Sequence, residues 1–441
     1  VTSAGNPLDH ATRLPAPGLT LLVTSPDGLA TQTCTGSASL ELAVPIEENT
    51  VFNVGSVAKQ ITAHLCVRAA EAGLLSLHCR VKDVLPRFLI PDVTVGELVQ
   101  HHGGVRDVET LLSLVGFREL DHYTADDLLE LAYRQRARSA DRDHFLYSNT
   151  GYLLLAEILV KIHGTDLQQV AEEYIFGPLG MRATRFKRDP QETIQGAAAS
   201  YQFLGGRWRQ RQTPVTLPGP GSLWTTAGDL DRWLRHLSDV WRDMDADRLP
   251  YEHLLRYRPS DHPPFTYGPG LYADPSLGRR SVFHYGHEQG FSAAALLTEE
   301  GQRIVCLSNH ADVPADYVVR AARTEPGRDL SEFLPALPAI GSEPTKAVAQ
   351  DDARDVHTQL GTYSCGEVPG TLRLTRHAGT LWLWRRGTCD RLVPSGATTF
   401  SANGYRVTFH RPFDGGERDQ ISGFTLDLDR APGLRYVRIP D

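Results

Sequence analysis

Ser56 and Lys59 stand three residues apart at the start of an apolar stretch, in Val51-Phe52-Asn53-Val54-Gly55-Ser56-Val57-Ala58-Lys59-Gln60. Residues at this spacing share a helix face, so the hydroxyl and the amine can meet one turn apart. A base beside a hydroxyl turns a poor nucleophile into a good one. The chain has only five lysines, Lys59, Lys82, Lys161, Lys187 and Lys346, and only Lys59 has a serine three places before it. Arginine does the remaining basic work, and its guanidinium does not deprotonate in a protein. If Lys59 is desolvated, its pKa falls and the neutral amine can take the Ser56 proton.

These residues need elements to hold them. The nucleophile helix is expected from about Ser56 to Ala72. Residues 18–24 and 30–45 read as strands, and residues 76–217 read as helix-rich, with helical apolar spacing over Leu128–Arg134 and Tyr152–Ile162. A helix is expected over Ala227–Leu237, then strands over 282–285, 292–297 and 303–308. Prolines and glycines near 335–352 predict a linker. Beyond it, short alternating segments at 371–374, 380–384, 406–409 and 421–428 predict a small antiparallel sheet or barrel. Trp382 and Trp384 fall on one sheet face, expected to be core.

Composition narrows the classes. The chain has 441 residues and a formal net charge of −8, with 41% hydrophobic and 22% charged residues. The length predicts more than one domain, and the negative balance argues against a broad nucleic-acid surface. No apolar run approaches the roughly 20 residues of a membrane span, and the N-terminus shows no basic n-region or apolar h-region. Six scattered cysteines without a CxxC pair are expected to be reduced, which favours a cytoplasmic location. No ligand cluster suggests a metal; His101-His102 is too short for one.

Ser56-x-x-Lys59, Tyr147-x-Asn149 and the strand triplet His284-Tyr285-Gly286 resemble, in order and spacing, the three motifs of the serine β-lactamase and penicillin-binding-protein superfamily. Pro17-Gly18, Phe52–Gly55, His101–Asp107, Gly177–Met181 and Gly221–Ala227 extend the resemblance over roughly residues 15–325. It is to class C β-lactamase-like serine hydrolases, a group of esterases, D-aminopeptidases, amidases and acyltransferases. The resemblance implies an α+β fold: a β-lactamase-like antiparallel sheet flanked by helices, with an all-helical subdomain about 76–217. A catalytic domain over 1–335, a linker over 336–355 and a C-terminal antiparallel β-barrel-like domain over 356–441 follow.

It also implies roles. Ser56, Lys59 and Tyr147 are catalytic; Asn149, His284, Gly286 and His287 bind substrate, with the backbone N–H groups of Ser56 and His287 as the oxyanion hole. Gly286 suits a close approach by a substrate backbone. His284 stands where penicillin-binding relatives have a lysine, which argues against efficient β-lactam hydrolysis, because a neutral imidazole holds a carboxylate less firmly. Gly103 replaces a hydroxyl-bearing residue.

No cofactor is implied. The expected partner is a small-molecule or peptide acyl donor, with an amine as a further acceptor, and the oligomeric state stays open. Two classes compete: an acyl-serine enzyme, either hydrolase or transacylase and peptide-cyclising thioesterase, and a non-catalytic penicillin-recognising binding protein. Plainer readings stand beside these roles. Ser56 could cap its helix, Ser148 or Asn149 could cap the helix that follows, and Glu288 could orient His284 or His287. Arg134, Arg136, Arg138 and Arg142, in a lid-like region 104–145, could meet an anionic substrate or form a solvated face.

Overall fold

The computed structural model describes residues 16–116, 121–243, 248–277, 280–325, 327–334, 359–396, 398–410 and 421–440. Its centre is an eight-stranded antiparallel sheet. The strand order is Arg258–Pro259, Thr266–Tyr267, Tyr272–Asp274, Ser281–Glu288, Phe291–Leu297, Arg303–Ser308, Leu19–Thr24 and Ala30–Thr35. Alternation along the central strands gives each face its own core. Ala293, Ala295, Leu297, Val305 and Leu307 pack with Leu230, Trp233 and Leu234 of helix Ala227–Asp243. Ala294, Leu296, Ile304 and Cys306 face the other way, against Val318, Val319 and Ala322 of helix Ala315–Thr324. Strand Phe291–Leu297 is buried at every position, and its Phe291, Leu296 and Leu297 side chains each contribute about 1.5–3 kcal/mol.

The helical subdomain includes Val95–Val99, Val108–Val115, Ala125–Tyr133 and Asn149–His163; the last packs on the nucleophile helix Lys59–Glu71. The subdomain is less uniform than expected over 76–217. A hairpin of Ser200–Leu204 and Arg207–Arg211 interrupts it. The cause is Gly205-Gly206, both at positive φ (60° and 76°), the geometry a two-residue hairpin turn needs.

The expected linker 336–355 lies outside the described residues. After it, eight strands from Gly361–Ser364 to Ala431–Ile439 form a closed barrel, so the antiparallel tail is a barrel. Its lumen is filled by Leu372, Leu374, Leu381, Leu383, Phe409, Phe424 and Leu426. Leu381 and Leu383 take the inward positions of strand Thr380–Arg385. Trp382 and Trp384 do share one face, but it is the outer one, and Trp384 is 47% exposed. Period-two alternation fixes which residues go together and leaves open which set goes in. All six cysteines are free thiols.

Candidate active site

Three segments hold the nucleophile turn. Strand Phe52–Asn53 pairs with Leu223–Thr225, which also pairs with Arg185–Phe186. Val54 N donates to Leu223 O and Gly55 N to Asn53 Oδ1, each at 3.0 Å. Gly55 has φ +49°, and a Cβ there would meet His287 O at 2.8 Å; a Cβ on Gly286 would meet Val54 O at 2.0 Å. The two glycines let strand Ser281–Glu288 lie directly on the turn, with the backbone of His287 beside that of Ser56. The space at Gly286 is therefore taken by the nucleophile turn, not by a substrate backbone. Ser56 sits in a short 3-10 turn, Gly55–Ala58, that leads into helix Lys59–Glu71. Neither element has a side-chain cap, so the Ser56 hydroxyl is not used for capping.

Lys59 is fully buried, and its Nζ reaches Ser56 Oγ at 2.9 Å, Asn149 Oδ1 at 2.7 Å and Pro220 O at 2.9 Å. Burial drives its pKa down to about 7; Glu109, Asp107 and Glu288 oppose this, and Arg430 adds to it. The partners decide what the neutral amine does. Two of them, a backbone carbonyl and an amide oxygen, can only accept. When Lys59 loses a proton, its two remaining hydrogens stay with those oxygens and its lone pair faces Ser56 Oγ. Deprotonation at about neutral pH therefore converts the Ser56–Lys59 bond into a nucleophile–base pair.

Tyr147 lies beneath this pair. Lys59 Nζ sits 4.8 Å from its ring centre and the Arg430 guanidinium 4.7 Å, while the His101 ring tilts against it at 4.3 Å. Burial pushes the phenol well above its ordinary pKa, and the Ser56 hydroxyl and Arg430 pull the other way. Tyr147 thus rests protonated, as a proton donor and relay rather than the resting base.

Asn149 begins the helix that Ser148 caps, through Gly151 N to Ser148 Oγ at 3.3 Å. Its backbone N–H donates to Asp107 Oδ2 at 2.7 Å, and its Nδ2 donates to the Glu109 carboxylate. Glu109 takes one of the two Nδ2 hydrogens, and the second is the donor an acyl carbonyl would use.

His284 is brought to the site but not to its surface. It is fully buried among Tyr267, Tyr272 and Tyr285. Its Nδ1 lies 2.7 Å from Tyr285 O, which makes Nδ1 the protonated nitrogen, and Nε2 accepts from Tyr267 OH at 3.2 Å. Burial and Lys59 lower its pKa to about 3. The pleat explains the position: His284 shares the face of Gly286, which lies on the nucleophile turn. A direct contact of this side chain with substrate does not fit that burial. The His287 side chain is exposed at the strand's end.

Several groups are not legible in the motifs. Glu109 and Glu288 are half-buried carboxylates near Lys59, both held above the ordinary carboxylate pKa by burial and, for Glu109, by repulsion from Glu288 and Asp107. Glu288 accepts from Gln289 N at 3.2 Å rather than orienting a histidine. Asp107 caps helix Val108–Val115 through Thr110 N, a signal that residue type and position could have given. Arg430 comes from the barrel, on the turn between Gly423–Leu428 and Ala431–Ile439. That turn docks on the helical subdomain: Asp107 N donates to Arg430 O at 2.9 Å, and Arg106 reaches Pro432 O and Glu367, each at 2.8 Å. Arg138 and Arg142, by contrast, pair with Glu97 at 2.7 and 2.8 Å, which leaves them structural.

A family model described as Beta-lactamase matches residues 9–325, and the chain belongs to that family. It is similar to penicillin-binding protein 4 of Amycolatopsis lactamdurans, with 30% identity over 53% of this chain and 65% of the relative. It is also similar to a D-aminopeptidase of Cereibacter sphaeroides, with 26% identity over 62% of this chain and 53% of the relative. The chain thus spans somewhat over half the length of these relatives. Among solved structures, SurE with D-Leu has a TM-score of 0.56 and 25% identity, over 96% of this chain and 95% of that one, so the likeness includes the barrel.

Proposed function

We propose that the protein is a serine amidase that cleaves amide substrates bearing a free amino group, through an acyl-Ser56 intermediate. The observation that carries this reading is the buried Lys59, poised near pKa 7 with its one unobligated direction toward Ser56 Oγ. Neutral Lys59 takes the Ser56 proton as Oγ attacks the amide carbon. The oxyanion faces the backbone N–H groups of Ser56 and His287; such donors are each worth roughly 3–4 kcal/mol at a transition state. The Tyr147 phenol passes a proton to the departing amine and is restored from Lys59. Water, deprotonated by the same pair, then releases the acid and Ser56. Glu109 and Glu288 support the amino-group preference: two half-buried carboxylates that repel one another are relieved by a substrate ammonium between them. The amide-cleaving chemistry also agrees with the similarity to a D-aminopeptidase, from which a preference for D-configured substrates follows.

Steady-state hydrolysis of D- and L-aminoacyl para-nitroanilides, each with and without N-acetylation, tests this. The reading predicts Ser56-dependent release, faster for the D series, and at least about tenfold loss of kcat/KM on acetylation. Equal rates for free and acetylated substrates would contradict the amino-group assignment, and unchanged turnover in Ser56→Ala would contradict the whole reading. A second outcome of the same intermediate is transfer to an amine instead of water. The acceptor would attack as the neutral amine, its proton taken by Lys59 as water's would be. Adding an amino-acid amide and following the transfer product by mass spectrometry separates the two.

A further inference from the structure

Helix Val95–Val99 ends in a turn closed by two backbone bonds, His101 N to Leu98 O at 3.2 Å and His102 N to Glu97 O at 2.8 Å. Such an ending puts the residue after the C-cap in the left-handed region, where glycine fits without cost. The residue there is His101, at φ +59°. A non-glycine residue stays in that region only where its surroundings hold it, and such positions cluster at functional sites.

What holds His101 is the tyrosine segment of the site. His101 O accepts from Leu146 N at 2.8 Å, and His101 Nδ1 accepts from Ser148 N at 3.1 Å. The two bonds flank Tyr147, one on each side along the chain. The imidazole itself lies against the phenol ring, 4.3 Å between centres and tilted by 33°. Ser148 is buried and caps the helix that follows, so its N–H lies outside the helical ladder and needs an acceptor. A backbone N–H always donates, so Nδ1 carries no proton and the ring's hydrogen is on Nε2. A second proton would set N–H against N–H. Burial, with Lys59, His284, Arg430 and His102 nearby, also holds the ring well below its ordinary pKa. His101 is thus a neutral ring of one tautomer. Tyr152, Tyr267 and Phe145 pack around it. A phenylalanine or leucine would fill that nest as well, but neither would take the Ser148 N–H.

We propose that His101 is a positioning residue for Tyr147: its carbonyl and its Nδ1 clamp the chain on either side of the phenol and fix it beneath Ser56 and Lys59. The inference rests on the amidase reading, in which the Tyr147 O–H gives its proton to the amide nitrogen as the C–N bond breaks and the phenol is restored from Lys59. An anilide needs that proton in order to leave, whereas para-nitrophenolate leaves without one. The clamp therefore governs amide cleavage and hardly touches ester cleavage.

The test compares kcat/KM, which reports acylation, for a D-aminoacyl para-nitroanilide and for the para-nitrophenyl ester of the same amino acid. His101→Gly keeps the left-handed backbone and removes the Nδ1 acceptor. His101→Asn also tolerates that backbone, and its Oδ1 stands one bond from Cγ, as Nδ1 does. Expected for His101→Gly is at least about a tenfold loss on the anilide with no more than about threefold on the ester. That is the pattern of Tyr147→Phe in milder form, and His101→Asn recovers part of the anilide rate. Equal losses on the two substrates, or no loss on either, would overturn the clamp and leave the amidase reading standing. Tyr147→Phe without a selective anilide loss would overturn the proton-donor step of that reading, and the clamp with it. The bond at Nδ1 is also read without turnover. Long-range proton–nitrogen NMR, assigned with His101→Asn, should show a neutral ring protonated on Nε2 from about pH 5 to 9. A proton on Nδ1, or titration within that range, would overturn the inference whatever the substrate.

Discussion

The catalytic half and the barrel each bury a charged side chain, and they treat it in opposite ways. In the barrel, Asp390 is 5% exposed and meets Arg385 at 2.9 Å, Tyr405 OH at 3.0 Å and Asn403 Nδ2 at 2.6 Å. Its charge has a counter-charge and a full set of donors. In the catalytic half, Lys59 is buried completely and its three direct partners are all neutral. A buried ion with a partner holds structure; one met only by neutral acceptors gives up its proton more easily. Asp390 is thus structural, as are Asp274 and Arg303 of the catalytic half, each with its own ion-pair partner, while Lys59 is set to change state near neutral pH. The barrel's contribution to the site comes instead from a turn residue, Arg430, set over the ring of Tyr147.

The sharpest way to break this contrast is to give Lys59 a charge it cannot lose. Lys59→Arg is expected to lower kcat/KM by at least about 10³-fold, since a guanidinium keeps its proton. Activity near the original level would mean that Lys59 is not the base. Asp390→Asn should do the reverse. Removing one member of a buried pair is expected to cost about 3 kcal/mol of stability in denaturant unfolding, with kcat/KM of the folded protein unchanged.

A glycine in each half extends the comparison. Gly286→Ala places a methyl 2.0 Å from Val54 O. It is expected to destabilise by about 1–3 kcal/mol and to separate Ser56 from His287, with loss of rate. Gly366→Ala, in the barrel, meets nothing within 4 Å and should stay within about 0.5 kcal/mol of the parent. An effect on activity but not on stability is expected for Arg430→Ala: about a tenfold change in kcat/KM with no more than about 0.5 kcal/mol in stability. A large loss of stability would show that Arg430 is part of the domain contact carried by Arg106, Glu367 and Pro432, and not a site group.

The sequence made one kind of contact legible and hid another. Ser56 and Lys59 are near neighbours on the chain, and their spacing alone brings them together. Tyr147, Asn149 and Gly286 were legible through short motifs, although the space that Gly286 provides went to the nucleophile turn. His284 was placed in the right strand, but its burial depended on which pleat face lies on that turn, and no local pattern states this. The same ambiguity turned Trp382 and Trp384 outward. The hairpin at Ser200–Arg211 had a readable signal in Gly205-Gly206. Glu109, Glu288 and Arg430 had none: acidic and basic residues are common on surfaces, and only tertiary packing brings these to Lys59 and Tyr147.

The central claim is that neutral Lys59 activates Ser56 for acyl transfer. The most direct measurement is the single-turnover rate of Ser56 acylation by an activated amino-acid ester, followed by intact-protein mass spectrometry from about pH 5 to 9 and mapped by peptide digestion. The Lys59 pKa is lowered from 10.5 to about 7, and its neutral form is the active one. The rate should therefore rise with pH through about 7, level off above it, and fall away below it as the amine protonates. A pH-independent acylation rate, or turnover with no adduct on Ser56, would contradict the account.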